Sequence, residues 1–452
     1  MHSSLTRRTD MTFSDYIGKY ADFHIKNDKI DEVYKGQLIQ EDDNIGVELV
    51  VRSNEVNILK NQKLYITGRI LSKNIALINC LSIRYTTSNN MNHIKEETNS
   101  FISFIPTEII YDYPNNVDPL KIYGISGNIN QLCWLVDFPL LFEPGHPLEP
   151  AFISLFKSSS ESDKDTINIT GLQKASSNIY HSTIDNIVQV SVYYKNPTTP
   201  DTAMQKISSI RNLFSFFTDY YLEISDFNLL YNQENTQSAK YYINYTEKNE
   251  LVYKPGLLPS DYIWSHFSEI YDRWNHFSET NKPLVWLYYE VLCKHSIGVN
   301  SFLNQCQALE LYSSRTPMRN TAARNLYKAA VKNPQKKTPL SFRLYDMILQ
   351  FKLPFPADEE HWLVFAKRMA NVRNYYTHFS KKKREPTQLE VSAFTKLTRL
   401  MLIEVVYTEL GIPSDIVHTL LNRVQFSNIC DYIGMVFENL QPEDFDKQTD
   451  SQ

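Results

Sequence analysis

The chain has 452 residues, 42% of them hydrophobic, and a formal net charge of −5. That length exceeds one ordinary domain and predicts two or three. Its twelve glycines are dispersed and form neither GxxxxGK nor GxGxxG, which argues against a P-loop nucleotidase or a dinucleotide-binding fold.

Reading from the start, Arg7-Arg8 are followed by polar residues rather than an apolar core, so no secretion signal is expected. Met11 is a candidate start, with residues 1–10 a disordered leader. The first half alternates in short runs: Val47-Glu48-Leu49-Val50-Val51, Lys63 to Ile70, Ile75 to Ile78, Phe101 to Ile105 and Val188 to Val192. Strand-sized runs separated by Asn, Asp, Ser and Gly predict a sandwich or a curled antiparallel sheet. Lys157–Thr166 reads as an exposed loop, and Thr202–Phe217 has a helical apolar face of Ile207, Ile210, Leu213 and Phe217. Residues 233–256 are polar and end at Pro255-Gly256, which predicts a linker.

After Leu257 the texture is helical. Pro259-Ser260-Asp261 starts one helix, with Phe267, Ile270, Tyr271 and Trp274 at helical spacing. Further helices are predicted over Leu284–His295, Asn300–Ser314, Ser341–Phe351 and His361–His378. The longest runs Thr387–Leu410, stopped by Gly411 and Pro413, and Ser414–Arg423 follows. The fold class expected is therefore α+β and multidomain: a β-rich domain over 11–232, a linker, an all-α bundle over 257–440, and a disordered acidic tail over 441–452.

Charge is uneven. From Leu311 to Arg343 stand Arg315, Arg319, Arg324, Lys328, Lys332, Lys336, Lys337 and Arg343, with no acidic residue among them. His361–Leu400 is also strongly basic, against only Glu385 and Glu390. A local basic field inside an acidic chain points to a polyanion partner; the plainer reading of each run is a solvated helix face.

Within the second run lies Arg373-Asn374-Tyr375-Tyr376-Thr377-His378, followed by Lys381-Lys382-Lys383-Arg384. An arginine fork suits a phosphate, and a histidine can move a proton near neutral pH. On a helix Asn374 and His378 share a face, while Arg373 and His378 lie about 140° apart. They converge on one phosphate through the long arginine, or through a second copy of the motif across a two-fold axis. The chemistry suggested is metal-independent RNA cleavage, leaving a 2′,3′-cyclic phosphate and a 5′-hydroxyl. Lys381, Lys382, Lys383 and Arg384 lie where a phosphate backbone would pass, and Tyr376 is a candidate base-stacking ring. The plainer readings are a dipole-pairing histidine, an ion-paired arginine, packed tyrosines and a basic helix end.

These residues resemble the HEPN ribonuclease superfamily: Arg373-Asn374-x3-His378 on a late helix, then a long helix with Leu400-Met401-Leu402-Ile403-Glu404. Phe302 to Tyr312 is similar to the first core helix of its ApeA-like branch, where an acidic residue lies near the motif; Glu310 is the matching position. Phe23-His24-Ile25, Gly36-Gln37-Leu38 and Val47-Glu48-Leu49 resemble the opening of the ApeA N-terminal domain. Leu311-Tyr312-Ser313-Ser314-Arg315 departs from the family, which often carries a histidine and an arginine after the tyrosine. The resemblance implies a bacterial anti-phage abortive-infection protein. Its helical domain would form a homodimer or higher homo-oligomer that builds the nuclease, and its N-terminal part would sense a phage-encoded trigger. RNA, including tRNA or another structured host RNA, would be the substrate.

No other constellation carries chemistry. His93 with Glu96-Glu97 is not HExxH, no Cys/His set has zinc spacing, and GxSxG is absent. No metal and no cofactor is expected. Cys80, Cys133, Cys293, Cys306 and Cys430 are scattered without CxxC spacing, which suits a cytoplasmic location. No run of about 18 apolar residues occurs, so no membrane partner is expected. The alternative function is a non-catalytic dimerisation, RNA-binding or phage-sensing module.

Overall fold

In a computed structural model the chain is described over residues 13–26, 30–60, 62–87, 99–136, 151–161, 165–177, 182–234, 236–244, 256–293, 298–330, 338–351, 353, 355–378, 384–422, 426 and 428–440. The expected leader, the expected tail and Lys381, Lys382 and Lys383 lie outside these residues. The chain divides into two compact units, one over 1–133, 138–208 and 223–252, the other over 134–137, 209–222 and 253–452.

The first unit is built on antiparallel strands: β1 (Tyr20–Lys26), β2 (Asp31–Glu41), β3 (Asn44–Arg52), β4 (Leu64–Ile70), β5 (Lys73–Thr87), β6 (Asn99–Ile105), β7 (Glu108–Tyr111), β8 (Ile122–Asn128), β9 (Ala151–Glu161), β10 (Asp165–Ser177), β11 (Ser182–Thr198), β12 (Ser225–Leu230) and β13 (Ser238–Ile243). The order β4-β1-β2-β3-β6-β5 closes on itself, because the first half of β5 pairs back with β4. The result is a six-stranded barrel rather than the sandwich the short alternating runs also allowed. Its interior is filled by the inward residues of the strands, among them Phe23, Ile25, Leu38, Val47, Leu49, Ile66, Leu77, Ile102 and Phe104. Gly68 is required by that packing, since a methyl group there would run into the Phe23 ring. From β5 the sheet continues outward as β7-β13-β12-β8-β11-β10-β9. A short helix, α1 (Val56–Lys60), lies between β3 and β4.

Two sequence expectations change here. The polar segment Lys157–Thr166 is not a loop: β9 runs to Glu161 and β10 begins at Asp165, with Thr166 opposite Glu161 and Ile167 opposite Ser160. Backbone pairing, not apolar content, makes this hairpin; residues 162–164 lie outside the described residues. The expected linker 233–256 contains β13, which pairs with β12 on one side and β7 on the other.

The second unit is helical: α3 (Ser260–Thr280), α4 (Lys282–Cys293), α5 (Val299–Arg315), α6 (Thr321–Ala330), α7 (Leu340–Phe351), α8 (Glu359–His378), α9 (Gln388–Glu409), α10 (Ser414–His418) and α11 (Ile429–Glu438). It also takes in 209–222, the end of α2 (Pro200–Thr218), although the sequence placed these residues in the β-rich part. The reason is aromatic packing: Phe216 stacks on Tyr288 at 4.1 Å and Phe217 meets Tyr407 edge-on. Asp219 is buried at the end of this segment and is held by Arg399 Nε at 2.6 Å and the Tyr288 hydroxyl at 2.6 Å. The long α9 forms the spine of the unit. Its apolar residues are buried nearly all round, and it ends at Gly411, whose φ of 73° is a left-handed conformation favoured by glycine. The Arg273 guanidinium donates to the Leu410 carbonyl at this end.

Candidate functional site

Helices α5 and α8 supply the site. In α5 the apolar face of Phe302, Cys306 and Leu309 is buried, and Glu310 sits beside it on the flank. In α8, Glu359 and Glu360 occupy the first turn, where a helix favours negative charge. Trp362, Phe365, Ala366, Met369 and Val372 then bury the core face. Arg373 and Asn374 follow at the margin of that face, and His378 is the last residue of the helix, exposed to solvent.

Arg373 Nη2 donates to Glu310 Oε2 at 3.0 Å, and Nη1 donates to Asn374 Oδ1 at 3.1 Å. Both ends of the ion pair are about a quarter exposed. The guanidinium is therefore oriented but still within reach of water. Among the described residues no hydrogen bond reaches the His378 ring, so within one chain the arginine and the histidine are not joined directly. Of the residues the sequence singled out, the structure brings together Arg373, Asn374 and Glu310. It leaves His378 apart, at the helix end. Tyr376 is half-buried, packed edge-on against Tyr375 at 5.3 Å, and burial raises its hydroxyl pKa.

Arg384 has another engagement. Its Nη2 donates to Glu390 Oε1 at 2.7 Å. Glu390 also receives Arg368 Nε at 2.7 Å and Nη2 at 2.8 Å, and the Thr387 N–H at 2.8 Å. Thr387 in turn accepts the Glu390 N–H, which completes a capping box at the start of α9. Burial works against the charge on Glu390, but the bonds from Arg368 and Thr387 prevail and hold its carboxyl below the usual range. Arg368 further donates to the carbonyls of Arg384 and Glu385. The segment that follows the histidine is thus stapled where it enters α9. Sequence reasoning missed Arg368 and Glu390. The only local signal was the Thr387-x-x-Glu390 spacing of a capping box.

A second polar layer lies beyond Glu310. Arg343 of α7 is buried and donates Nη1 to the Glu310 carbonyl at 3.3 Å and Nε to the Thr338 carbonyl at 2.9 Å. Burial lowers its pKa, partly opposed by the Glu310 charge. Arg343 also lines a small cavity with Tyr312, Arg319, Asp346, Gln350 and Glu404. Arg319 Nη2 donates to Glu409 at 2.6 Å and to the Tyr312 hydroxyl at 3.0 Å. Burial pushes the Glu404 carboxyl up to about 7, with Arg319 pulling the other way.

The basic run of Leu311–Arg343 is therefore divided in the structure. Arg319 is neutralised by Glu409, Arg343 is buried, and Arg324 and Lys328 stand on the exposed side of α6. Lys332, Lys336 and Lys337 lie outside the described residues. No group of three or more His, Cys, Asp or Glu side chains among the described residues is arranged to hold a metal ion. No helix among them is long and apolar enough to cross a membrane.

Chemically, the arrangement offers a positioned guanidinium for a phosphate and an exposed imidazole on the same helix for proton transfer. Comparison with protein families gives two matches. Residues 18–274, more than half of the chain, match the family described as ApeA N-terminal domain 1, and residues 303–416 match Apea-like HEPN. No curated protein and no solved structure matches.

Proposed function

The chain belongs to the ApeA-like HEPN family, the architecture of an anti-phage HEPN-type effector, and on that premise we propose that its helical unit is a metal-independent endoribonuclease. The observation that carries the proposal is the Arg373–Glu310–Asn374 cluster, with the exposed His378 on the same helix. In this reading two copies of the chain pair about a two-fold axis, so that a groove holds two arginines and two histidines. One His378 takes the proton of a ribose 2′-hydroxyl, and the oxygen attacks the adjacent phosphorus. The bond to the 5′-oxygen breaks, and that oxygen takes a proton from the second His378. Arg373 carries the charge that develops on the non-bridging oxygens, and Glu310 and Asn374 keep its fork aimed. The products are a 2′,3′-cyclic phosphate and a 5′-hydroxyl. Lys381, Lys382 and Lys383 are assigned to the RNA backbone and Tyr376 to an unpaired base.

The β-rich unit is proposed to sense infection through a phage-encoded protein, and the substrate to be host RNA, with tRNA one candidate. The five cysteines, all free thiols, accord with a cytoplasmic site of action. One observation favours a second reading. Arg373 already has a carboxylate partner and His378 does not touch it, as in a non-catalytic dimerisation or RNA-binding module.

The test expresses the wild type, His378→Ala and Arg373→Ala at equal level with phage challenge and maps new 5′-hydroxyl RNA ends. Ends and protection lost together in both variants support the nuclease. Protection that persists without RNA ends supports the module.

A further inference from the structure

We propose that the exposed face of α6, formed by Thr321, Arg324, Asn325 and Lys328, is a binding surface for the phosphate backbone of RNA beside the Arg373 site. This inference rests on the ribonuclease reading and extends it to the grip on the substrate. The four residues stand at helix positions i, i+3, i+4 and i+7, which places them on one stripe, and each is exposed. The opposite side of the helix is anchored by the buried Ala323 and Tyr327.

The surface is cationic by construction. No acidic residue occurs between Leu311 and Arg343. Arg324 and Lys328 form no ion pair among the described residues. Arg324 Nη2 donates only to carbonyls, those of Met318 at 3.0 Å and Arg319 at 3.4 Å. Asp346 lies within electrostatic range of Arg324, but its oxygens are occupied. They receive the Arg319 N–H at 3.2 Å, the Asn320 N–H at 2.7 Å and the Gln350 amide at 2.7 Å. Those bonds fix the turn into α6, and Asn320 Oδ1 receives the Ala323 N–H at 3.1 Å. The helix is thus rigidly mounted while its charges remain available.

Its position follows from contacts. The Tyr327 ring meets the Phe342 ring edge-on at 5.4 Å. The next residue, Arg343, donates to the Glu310 carbonyl, and Glu310 holds Arg373. A strand lying on α6 would enter the site from the α7 side.

The test measures binding of the full-length protein to a mixed-sequence single-stranded oligoribonucleotide bearing 2′-O-methyl groups, which block 2′-hydroxyl attack. Anisotropy is followed across salt for wild type, Arg324→Ala/Lys328→Ala and the single Lys328→Glu. Losing two phosphate contacts should shallow the slope of log affinity on log salt by about 1.4 and weaken binding roughly tenfold. Lys328→Glu, at an exposed position with no hydrogen bond among the described residues, should shift the slope in the same direction without a folding defect. Wild-type slope and affinity in both α6 variants, or no RNA binding by the wild type, would overturn the proposal. Binding without any cleavage of unmodified RNA by the wild type would instead count against the nuclease reading and leave the α6 result standing.

Discussion

Replacing Glu390 by alanine is expected to be among the most damaging single changes near the site. Its carboxylate receives five donors: two from Arg368, one from Arg384, and the N–H and hydroxyl of Thr387. Arg368 is only 2% exposed, so the substitution leaves a guanidinium in the interior without its counter-charge. Breaking one side of a buried pair costs about 3–5 kcal/mol, and loss of the capping box adds roughly 1 kcal/mol. Against a total stability of about 5–15 kcal/mol, that is a large fraction. The assay is favourable because Trp134, Trp264, Trp274, Trp286 and Trp362 all belong to the helical unit. Tryptophan fluorescence in a urea titration therefore follows that unit by itself. Arg368→Met/Glu390→Gln should lose much less than Glu390→Ala, because no unpaired buried charge remains and Arg384 can turn to water. A loss below about 1 kcal/mol in Glu390→Ala, or a double variant as unstable as the single one, would refute the reasoning.

The remaining expectations are narrower. Glu404 faces Arg319, Tyr312, Arg343 and Asp346 around the small cavity, and burial raises its carboxyl from 4.5 to about 7. The folded state therefore holds this proton more tightly than the unfolded chain. The associated stability is complete below about pH 4.5 and is lost as the pH rises through about 7, by up to roughly 3 kcal/mol. Glu404→Gln should flatten that window and raise stability at pH 8, as read by urea titrations across pH. Gly411→Ala should cost about 1–2 kcal/mol in thermal or urea unfolding, because the residue is left-handed and a methyl group there would overlap the Arg273 guanidinium. His378→Ala should leave the fluorescence unfolding curve within about 0.5 kcal/mol of the wild type. It should lower RNA cleavage by about 10²–10⁴-fold, measured as 5′-hydroxyl ends.

Helices with a repeated apolar face were legible in the sequence, and so was the end of α9 at Gly411 and Pro413. The Arg373-Asn374-x3-His378 motif was legible too, since its spacing is local. What could not be read were structures made by partners far along the chain. β13 is a polar segment that becomes a strand only because β7 and β12 flank it. The barrel closes only because β5 is long enough to pair with β4 and β7 over its first half and with β6 over its second. Helix α6 has only Ala323 and Tyr327 buried, too small a core face for its short, alanine-rich sequence to announce a helix. Arg384 looked like one of four equivalent cations, and only the fold brings it to Glu390.

The arginines of the helical unit can be sorted by the burial of their partners. Arg368 and Glu390 are both almost wholly buried, Arg399 meets a buried Asp219, and each such pair is costly to open. Arg373 and Glu310 are each about a quarter exposed, so their pair is partly solvated and cheaper to open than the wholly buried ones. A phosphate arriving at Arg373 therefore need not overcome a strong internal bond. In the proposed ribonuclease, Glu310 would keep the fork oriented while the guanidinium turns part of its charge toward the phosphate. Arg368 cannot do this without leaving Glu390 unbalanced in the interior. The same sequence neighbourhood thus separates an arginine that holds the chain together from one available for chemistry, and the difference lies in the solvent exposure of the acid opposite.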